Sequence, residues 1–341
     1  MRTLLIASLE PHAGKTGIAA ALTQRLAYEG RRVLALRLGA AGDARAAADA
    51  GFFATLPGAR GRGGAPLPAD SVSGDIARLA EDGSAIVEAP DGADVASLAN
   101  ALNASAILIH RGLPSDDDTL RLQNLALELG DRFLGVVLTA LPKRAVAPAR
   151  AALDEAALPA LAVLAEDRLL YAPTIGEIAD ILHANLLLGE EAEDNVIEEL
   201  MIGPVSVDPG QAYYTRRGHK AVIARSDKTD SQLAAMQTDT DCLILTGGFN
   251  PSPYTLDRAS NEEIALMVAP GDTQTTVRAL EEMYGRSHFV SETKLERMAE
   301  LLRDELDFEP IGAALGPHPL PLSQSWERGD SGLGRSVCAS G

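Results

Sequence analysis

Cysteine, lysine and long apolar runs are scarce in this sequence. Its 341 residues include 2 cysteines, Cys242 and Cys338, and one pair cannot by itself make a disulfide framework or a zinc site. No apolar run reaches the roughly 18 residues that a membrane-spanning helix needs. The apolar start at 3–8 is too short for a secretory signal. These absences favour a soluble, cytoplasmic protein with no membrane partner.

Positive charge is also scarce. The chain has 30 Lys and Arg residues against 48 Asp and Glu residues, which gives a formal net charge of −18 at pH 7. Nucleic acids and anionic membranes are bound through clustered Lys and Arg side chains, so this balance argues against both as partners. The apolar fraction of 46% is typical of a folded protein, and a chain of this length usually forms two domains.

Short apolar runs alternate with helical patterns in the first part of the chain. Because this alternation is typical of a parallel sheet covered on both faces, we predict a doubly wound parallel α/β domain over 1–188. The predicted strands are Thr3–Ser8, Arg32–Leu38, Ala85–Ala89, Ala106–His110 and Phe133–Ala140. The predicted helices are Thr16–Glu29, Asp75–Glu81, Ala93–Leu102, Thr119–Leu129, Val146–Ala156 and Ile175–Leu188, with a flexible loop at 57–66.

A second, smaller α/β pattern follows an acidic turn at 189–194, and we predict a second domain over 193–307. Residues 317–341 are rich in Pro, Ser and Gly without periodicity, which predicts a disordered tail. The predicted strands of the second domain are Lys220–Ala224, Cys242–Thr246 and Ile264–Val268, and its predicted helices are Thr229–Met236 and Thr273–Glu282.

A glycine, a lysine and a threonine, Gly14-Lys15-Thr16, follow the first predicted strand and open the first predicted helix. In such a loop, backbone N–H groups and the helix N-terminus face an anion, Lys15 reaches terminal phosphates and Thr16 can ligate Mg²⁺. The spacing departs from G-x-x-x-x-G-K-[ST], because Leu9 takes the first glycine position and the small residue is Ser8. An ordinary turn capped by Thr16 is the alternative. Since only five basic residues are lysines, the lysine here favours a phosphate-binding loop (P-loop).

Two acidic residues are candidate metal ligands. Glu88 ends a predicted buried strand, at the edge where ligands bind in open α/β sheets. Mg²⁺ is usually held by one or two carboxylates, a hydroxyl and waters, so Glu88 is a candidate ligand, with a structural ion pair as the alternative. Asp49 lies in a helical stretch, where a solvated acid is as ordinary an outcome. His110 ends another strand at the same edge and is either a substrate contact or structural.

The loop spacing resembles that of dethiobiotin synthetase and of the similar domain that heads long-form phosphate acetyltransferases. The segments 33–38, 49–53, 87–92 and 165–177 are similar to that family's second strand, second-carboxylate segment, metal-associated strand and closing segment. The resemblance implies that the nucleotide is ATP and that Thr16, Asp49 and Glu88 hold Mg²⁺. It also implies nucleotide contacts from Ser8, Glu10, Ala13, Gly14, Lys15, Thr16, Gly17, Arg37 and Thr139.

Three positions depart from the synthetase pattern. Arg37 replaces a lysine on the second strand, and arginine is not readily neutralised for acid–base work. His12 takes the place of a loop glutamate, and Thr139 lies where the synthetase uses an asparagine for adenine. Dethiobiotin synthesis therefore does not follow from the resemblance, and no residue is assigned as catalytic.

The second domain resembles a DRTGG domain, as found in long-form phosphate acetyltransferases and in some adenine-nucleotide-regulated pyrophosphatases. Similar segments occur in order at 202–208, 217–223, 227–230, 242–248 and 272–276. The motif is imperfect, because a lysine replaces its arginine. The resemblance implies a ligand site or a dimer contact, and helix capping with a glycine turn is the alternative. The candidate residues are Asp227, Lys228, Thr229, Thr246, Gly247 and Gly248.

The leading hypothesis is an ATP-binding regulatory protein. It would bind Mg²⁺-nucleotide at the P-loop, use the second domain to sense a ligand or form a homo-oligomer, and act on an acyl-phosphate or acetate-metabolism enzyme. We expect no acetyl transfer, since no acetyl-transferring domain is recognised. The alternative is an ATP-dependent ligase of the dethiobiotin or cobyrinate a,c-diamide synthase type. A third hypothesis is a structural interaction protein that does not bind nucleotide. The sequence leaves open whether ATP is hydrolysed.

Overall fold

The computed structural model describes residues 2–40, 42–57, 66–68, 83–203, 210–283 and 287–316. The predicted helix Asp75–Glu81, nearly all of the predicted loop at 57–66 and the predicted disordered tail at 317–341 lie outside these ranges. Within them, no helix is both long enough and apolar enough to cross a membrane.

Among the described residues, the first sheet has six strands, all parallel, in the order β2-β3-β1-β4-β5-β6. The central strand β1 is flanked by β3 and β4, so the chain leaves β1 at the point where the strand order reverses. The predicted parallel sheet is confirmed, and β6 is a strand that the sequence prediction missed. The strands are β1 (Arg2–Ser8), β2 (Val33–Arg37), β3 (Ser84–Glu88), β4 (Ala104–Arg111), β5 (Phe133–Leu141) and β6 (Ala160–Ala165).

Helices cover both faces of this sheet, which explains the continuous apolar strands. Along β1, Leu4 and Ile6 pack into the core on one face, and Leu5 and Ala7 pack into the core on the other. Neither face meets water, so no polar alternation is required. The helices are α1 (Lys15–Tyr28), α2 (Ala44–Thr55), α3 (Val95–Leu102), α4 (Asp116–Leu129), α5 (Val146–Glu155) and α6 (Arg168–Tyr171).

In the described residues the second sheet has five strands in the order β7-β11-β10-β9-β8, and β7 is antiparallel to its neighbour β11 while the other pairs are parallel. It confirms the predicted second, smaller α/β unit. The strands are β7 (Asn185–Leu188), β8 (Glu199–Ile202), β9 (Lys220–Arg225), β10 (Thr240–Thr246) and β11 (Ala265–Ala269). The helices are α7 (Ile175–Leu182), α8 (Gly210–Tyr214), α9 (Thr229–Met236), α10 (Pro253–Asn261) and α11 (Thr273–Met283).

The predicted helix over 175–188 is wrong in its second half. Helix α7 ends at Leu182, because His183 takes a left-handed conformation with φ 47°. The next residues form β7 and pair with β11. A short leucine run suits a helix and a strand equally, and here the run becomes a strand because it pairs with β11.

The end of the described chain returns to the first sheet through α12 (Glu292–Glu305) and α13 (Glu309–Leu315). Leu295, Met298 and Leu302 of α12 share a core with Leu22 and Leu26 of α1. The second sheet therefore lies, in sequence, between two parts of the first unit. Strand β7 belongs to the second sheet although it precedes residue 193, and α12 packs on the first unit although it precedes residue 307.

Candidate functional site

The P-loop connects β1 to α1 and ends in an exposed helix N-terminus. Gly14 is the N-cap of α1 with φ 96°, a left-handed conformation that suits glycine. Among the described residues no side chain caps this end, and its first turn holds no acidic residue. The first N–H groups of a helix need acceptors and carry partial positive charge, so this end suits an anion.

Thr16 is not the helix cap that the alternative interpretation required. Its hydroxyl instead donates to Glu88 Oε1 at 3.1 Å, across the gap between α1 and the end of β3. The predicted pair of a P-loop hydroxyl and a strand-end carboxylate is thus brought together in the structure.

Lys15 is buried within the loop, with 5% of its surface exposed. Its Nζ donates to Ser8 Oγ at 2.9 Å and forms an ion pair with Asp91. The Ser8 hydroxyl donates in turn to the carbonyl of Glu10 at 2.6 Å. Asp91 was not among the predicted site residues. The available signal was its place three residues after Glu88 at the same sheet edge.

Arg37 lies between the two predicted carboxylate ligands. Its Nε is 3.3 Å from Asp49 Oδ2 and 3.5 Å from Glu88 Oε1, and its Nη1 donates to the carbonyls of Leu38 and Ala89. All three charged side chains are buried, so Asp49 is not a solvated acid. The structure brings Asp49 and Glu88 to one cation, the guanidinium of Arg37.

One oxygen of this cluster has no partner. Glu88 is 2% exposed, and its Oε2 has no hydrogen-bond partner among the described residues. Burial raises the pKa of Glu88 to about 7, the charge of Asp49 adds to this, and Arg37 and Lys15 oppose it. Burial also raises the pKa of Asp49, against the opposing charge of Arg37. A hydroxyl and carboxylate oxygens are the ligand types that suit Mg²⁺, so the residues present fit this ion.

Two of the predicted nucleotide contacts, Thr139 and Glu10, hold the loop in place. The Thr139 hydroxyl donates to the carbonyl of Ala13 at 2.8 Å. Glu10 Oε1 accepts from the Arg111 backbone N–H at 2.7 Å and is 3.2 Å from Nδ1 of the buried His110. These contacts fasten the loop to the ends of β4 and β5, and they give His110 a structural contact.

A cleft of about 870 Å³, including the part open to solvent, lies over the P-loop. Gly14–Gly17, Arg37, Asp49 and Glu88 line it.

Three cationic or titratable side chains that the sequence analysis missed also line this cleft: His12, Arg45 and Arg111. Arg45 Nη1 is 2.5 Å from His12 Nδ1, and burial followed by the charge of Arg45 lowers the pKa of His12. The Arg111 guanidinium lies 4.7 Å from the ring centre of Tyr171. Arg45 lies in α2 and Arg111 at the end of β4, where no motif marks them, whereas His12 lies in the P-loop itself.

The predicted second-domain residues lie at the carboxyl ends of β9 and β10. Asp227 forms two hydrogen bonds with Arg225, at 2.9 and 2.7 Å. The N-cap of α9 is Lys228, and among the described residues no side chain caps it, so neither Asp227 nor Thr229 has the capping role of the alternative. The hydroxyls of Thr246 and Thr273 share a hydrogen bond of 2.8 Å.

The glycine pair follows the turn interpretation. Gly247 and Gly248 have φ of 97° and 73°. Their N–H groups donate to the carbonyls of Gly271 and Ala269, which ties the end of β10 to the residues that follow β11. These backbone donors are therefore already used.

Comparison with known proteins identifies the second unit. The DRTGG domain family matches residues 177–283, which run from α7 to the end of α11. The phosphate acetyltransferase of Nitratidesulfovibrio vulgaris is 24% identical over 166 residues, covering 46% of this chain and 23% of that protein. The chain thus spans about a quarter of the length of that curated relative.

Three solved structures are partly similar. MinD from Pyrococcus horikoshii, complexed with Mg-ADP, is 21% identical with a TM-score of 0.37, over 50% of this chain and 83% of that one. Chloroplast FtsY from Physcomitrella patens is 20% identical with a TM-score of 0.38, over 48% and 58%. The CBS and DRTGG domains of Clostridium perfringens pyrophosphatase, complexed with the activator diadenosine tetraphosphate, are 21% identical with a TM-score of 0.31, over 35% and 51%.

The first unit combines a six-stranded parallel sheet with the Gly14-Lys15-Thr16 loop after its central strand, and the family match at 177–283 covers the second unit. The chain is therefore a P-loop α/β protein that carries a DRTGG domain.

Proposed function

We propose that the P-loop binds ATP together with Mg²⁺. The observation that carries this proposal is the unpartnered, buried Glu88 Oε2, beside the Thr16 hydroxyl and close to the uncapped end of α1. A buried carboxylate oxygen without a partner is costly, and a bound cation would remove that cost. The helix end and Lys15 supply what a phosphate chain needs, so metal and phosphate sites adjoin.

Each residue has a distinct role in this proposal. Thr16, Glu88 and Asp49 hold Mg²⁺, and the backbone N–H groups at 14–17 bind the phosphates nearer the nucleoside. Lys15 binds the terminal phosphates, for which its ion pair with Asp91 has to open. Arg37 opposes the rise in the pKa of both buried acids and holds them close together.

For the whole chain we propose a regulatory role, with the DRTGG domain sensing a ligand or pairing two copies. The family match and the partial likeness to a phosphate acetyltransferase support this role. The partner proposed on that likeness is an enzyme of acyl-phosphate or acetate metabolism.

The second candidate function is an ATP-dependent ligase. Arg45, Arg111 and His12 at the cleft favour it, since they suit an anionic second substrate.

The first test is calorimetric titration of the full chain with ATP, ADP and AMP, with and without Mg²⁺. We expect Mg²⁺-dependent ATP binding. Lys15→Ala should weaken it at least about tenfold, equivalent to about 1.4 kcal/mol, because the terminal phosphates lose their cation.

Lys143→Ala is the matched control, because Lys143 is exposed and follows β5. Its ATP affinity should equal that of the wild type. Equal affinities of wild type and Lys15→Ala would remove the loop as the site. ATP turnover that requires an added carboxylate substrate would favour the ligase over the regulatory role.

A further inference from the structure

The chain that follows the second sheet forms one wall of the cleft. Ser287, Phe289 and Met298 line the cleft together with Leu164 and Leu170. They reach it because α12 packs along α1 and the residues before it cross the first turn of α1.

The wall lies directly against Gly17, the residue after Thr16. A Cβ at position 17 would be 2.9 Å from Phe289 Cε2 and 3.1 Å from Met298 Cε. Phe289 also makes an edge contact with Phe52 of α2, with ring centres 6.0 Å apart. The aromatic ring is thus supported on two sides and remains partly exposed to the cleft.

The cleft has a charged part and an apolar part. Lys15, Arg37, Asp49, Glu88 and Asp91 gather around the ends of β2 and β3. The apolar part lies at the end of β6 and on the returning chain. Its members are Leu164, Leu170, Phe289 and Met298.

A nucleotide is likewise divided into a charged part, its phosphates, and a flat aromatic part, its base. In a P-loop, the lysine and the metal hold the terminal phosphates, and the phosphate that carries the nucleoside lies on the backbone at the start of the helix. The nucleoside therefore leaves the loop past Gly17, where the apolar wall begins. A flat aromatic base is the part of the ligand that apolar and aromatic side chains bind.

We infer that the nucleoside end of the nucleotide packs against this wall, with Phe289 as its main aromatic contact. This inference rests on the proposed function. It assigns nucleoside recognition to residues that follow the DRTGG domain in the sequence.

The wall is held in place by a residue of the DRTGG domain. Glu177 in the first turn of α7 accepts a hydrogen bond from the His288 backbone N–H at 2.6 Å. The buried Lys294 donates to Ser287 Oγ at 3.0 Å and to the His288 carbonyl at 2.8 Å. The position of Phe289 is therefore set from α7 and α12, and the nucleoside subsite is connected to the second unit.

The test compares two ligands that share phosphates but not a nucleoside, namely ATP and inorganic tripolyphosphate, each with Mg²⁺. Their affinities are measured on the full-length wild type, Phe289→Ala and Lys15→Ala. We expect Phe289→Ala to weaken ATP binding about tenfold, the scale of a lost base–aromatic contact, and to leave tripolyphosphate unchanged. Lys15→Ala should weaken both ligands.

Phe289→Leu and Phe308→Ala complete the design. The leucine variant keeps apolar bulk at the wall, so it remains usable if the alanine variant fails to fold, and it should still lose about threefold in ATP affinity alone. Phe308 stacks with Arg25 outside the cleft lining, so its alanine variant should bind both ligands like the wild type.

The inference is overturned if the Phe289 variants bind ATP like the wild type, or if they weaken ATP and tripolyphosphate equally. If the wild type binds neither ligand, the proposed function itself has failed. The two failures are therefore distinguishable in one set of titrations.

Discussion

Glu88 illustrates how a single buried carboxyl group affects the stability of the folded protein. Its pKa is about 7 in the folded protein against an ordinary value of 4.5, mainly because of burial. Between these pH values the folded protein holds a proton that the unfolded chain has released. The stability linked to this group is therefore complete below pH 4.5 and is lost as the pH rises through 7.

Glu88→Gln should accordingly stabilise the metal-free protein at pH 8, by about 1–3 kcal/mol, because it removes a buried charge. At pH 4.5 the gain should be absent, since the wild-type side chain is then neutral. Chemical denaturation at the two pH values, with a chelator present, measures this difference. The same variant should bind Mg²⁺-ATP more weakly, since a neutral amide is a poorer ligand.

Glu155→Gln is the control for this prediction, because Glu155 is an exposed residue at the end of α5. Its free energy of unfolding should match that of the wild type at both pH values. Equal stability of Glu88→Gln and wild type at pH 8 would mean that Arg37 fully compensates the buried charge.

Single site residues were predictable where motif and sheet position coincide. Lys15 and Thr16 open α1 after β1, Glu88 ends β3, and the side chains of Thr16 and Glu88 meet as the strand-end argument implies. Arg45 and Phe289 gave no such signal, because each reaches the cleft from an element whose packing is set by distant contacts. Thr139 lies beside the loop, where its hydroxyl donates to the carbonyl of Ala13.

At the scale of elements, the contact between α1 and the returning chain depends on a missing side chain. Glycine within a helix is normally less stable than alanine by about 0.5–1 kcal/mol. Gly17 should behave in the opposite way, because a Cβ there would meet Phe289 at 2.9 Å. We expect Gly17→Ala to lower the free energy of unfolding by about 1–3 kcal/mol, as in other overpacked cores.

Gly51→Ala in α2 is the matched comparison, since a Cβ at Gly51 would have nothing within 4 Å. The free energy of unfolding of this variant should exceed that of the wild type by about 0.5–1 kcal/mol. Urea unfolding of both variants measures the difference in sign. A gain in stability for Gly17→Ala would show that Phe289 moves aside at little cost.

Element prediction succeeded where apolar periodicity was unambiguous and failed where it was not. The buried strands β1 to β5 have continuous apolar runs, and the sequence predicted each of them. The leucines of β7 suit a helix as well as a strand, and only pairing with β11 distinguishes the two. Strand β6 is short and rich in alanine and leucine, which weakens the preference for strand.

At the scale of the whole molecule, both connections between the two units border the same cleft. Leu170 and Tyr171 precede the second unit, and Ser287 and Phe289 follow it. Ser287 Oγ donates to the carbonyl of Tyr171 at 3.1 Å, so the two connections also contact each other. A ligand in the cleft therefore touches the chain on both sides of the second unit.

ATP with Mg²⁺ should consequently slow amide hydrogen exchange at 165–177 and 287–298, beyond the P-loop itself, because local opening of bound segments becomes rarer. Exchange in α4 should not change, since that helix packs on the other face of the sheet. Mass spectrometry of peptides from the full chain measures hydrogen exchange both in these two segments and in α4. Slowing confined to residues 8–28 would argue against any link between the cleft and the second unit.

The late return of α12 also bears on how the protein is made. During synthesis, Leu22 and Leu26 of α1 emerge long before Leu295, Met298 and Leu302, which complete their core in the finished molecule. At about 5–20 residues per second, that interval lasts roughly 15–50 seconds, with the whole second sheet translated in between. The nascent chain therefore carries an uncovered apolar helix face while the ribosome is at work. A co-translational chaperone would have its natural target there.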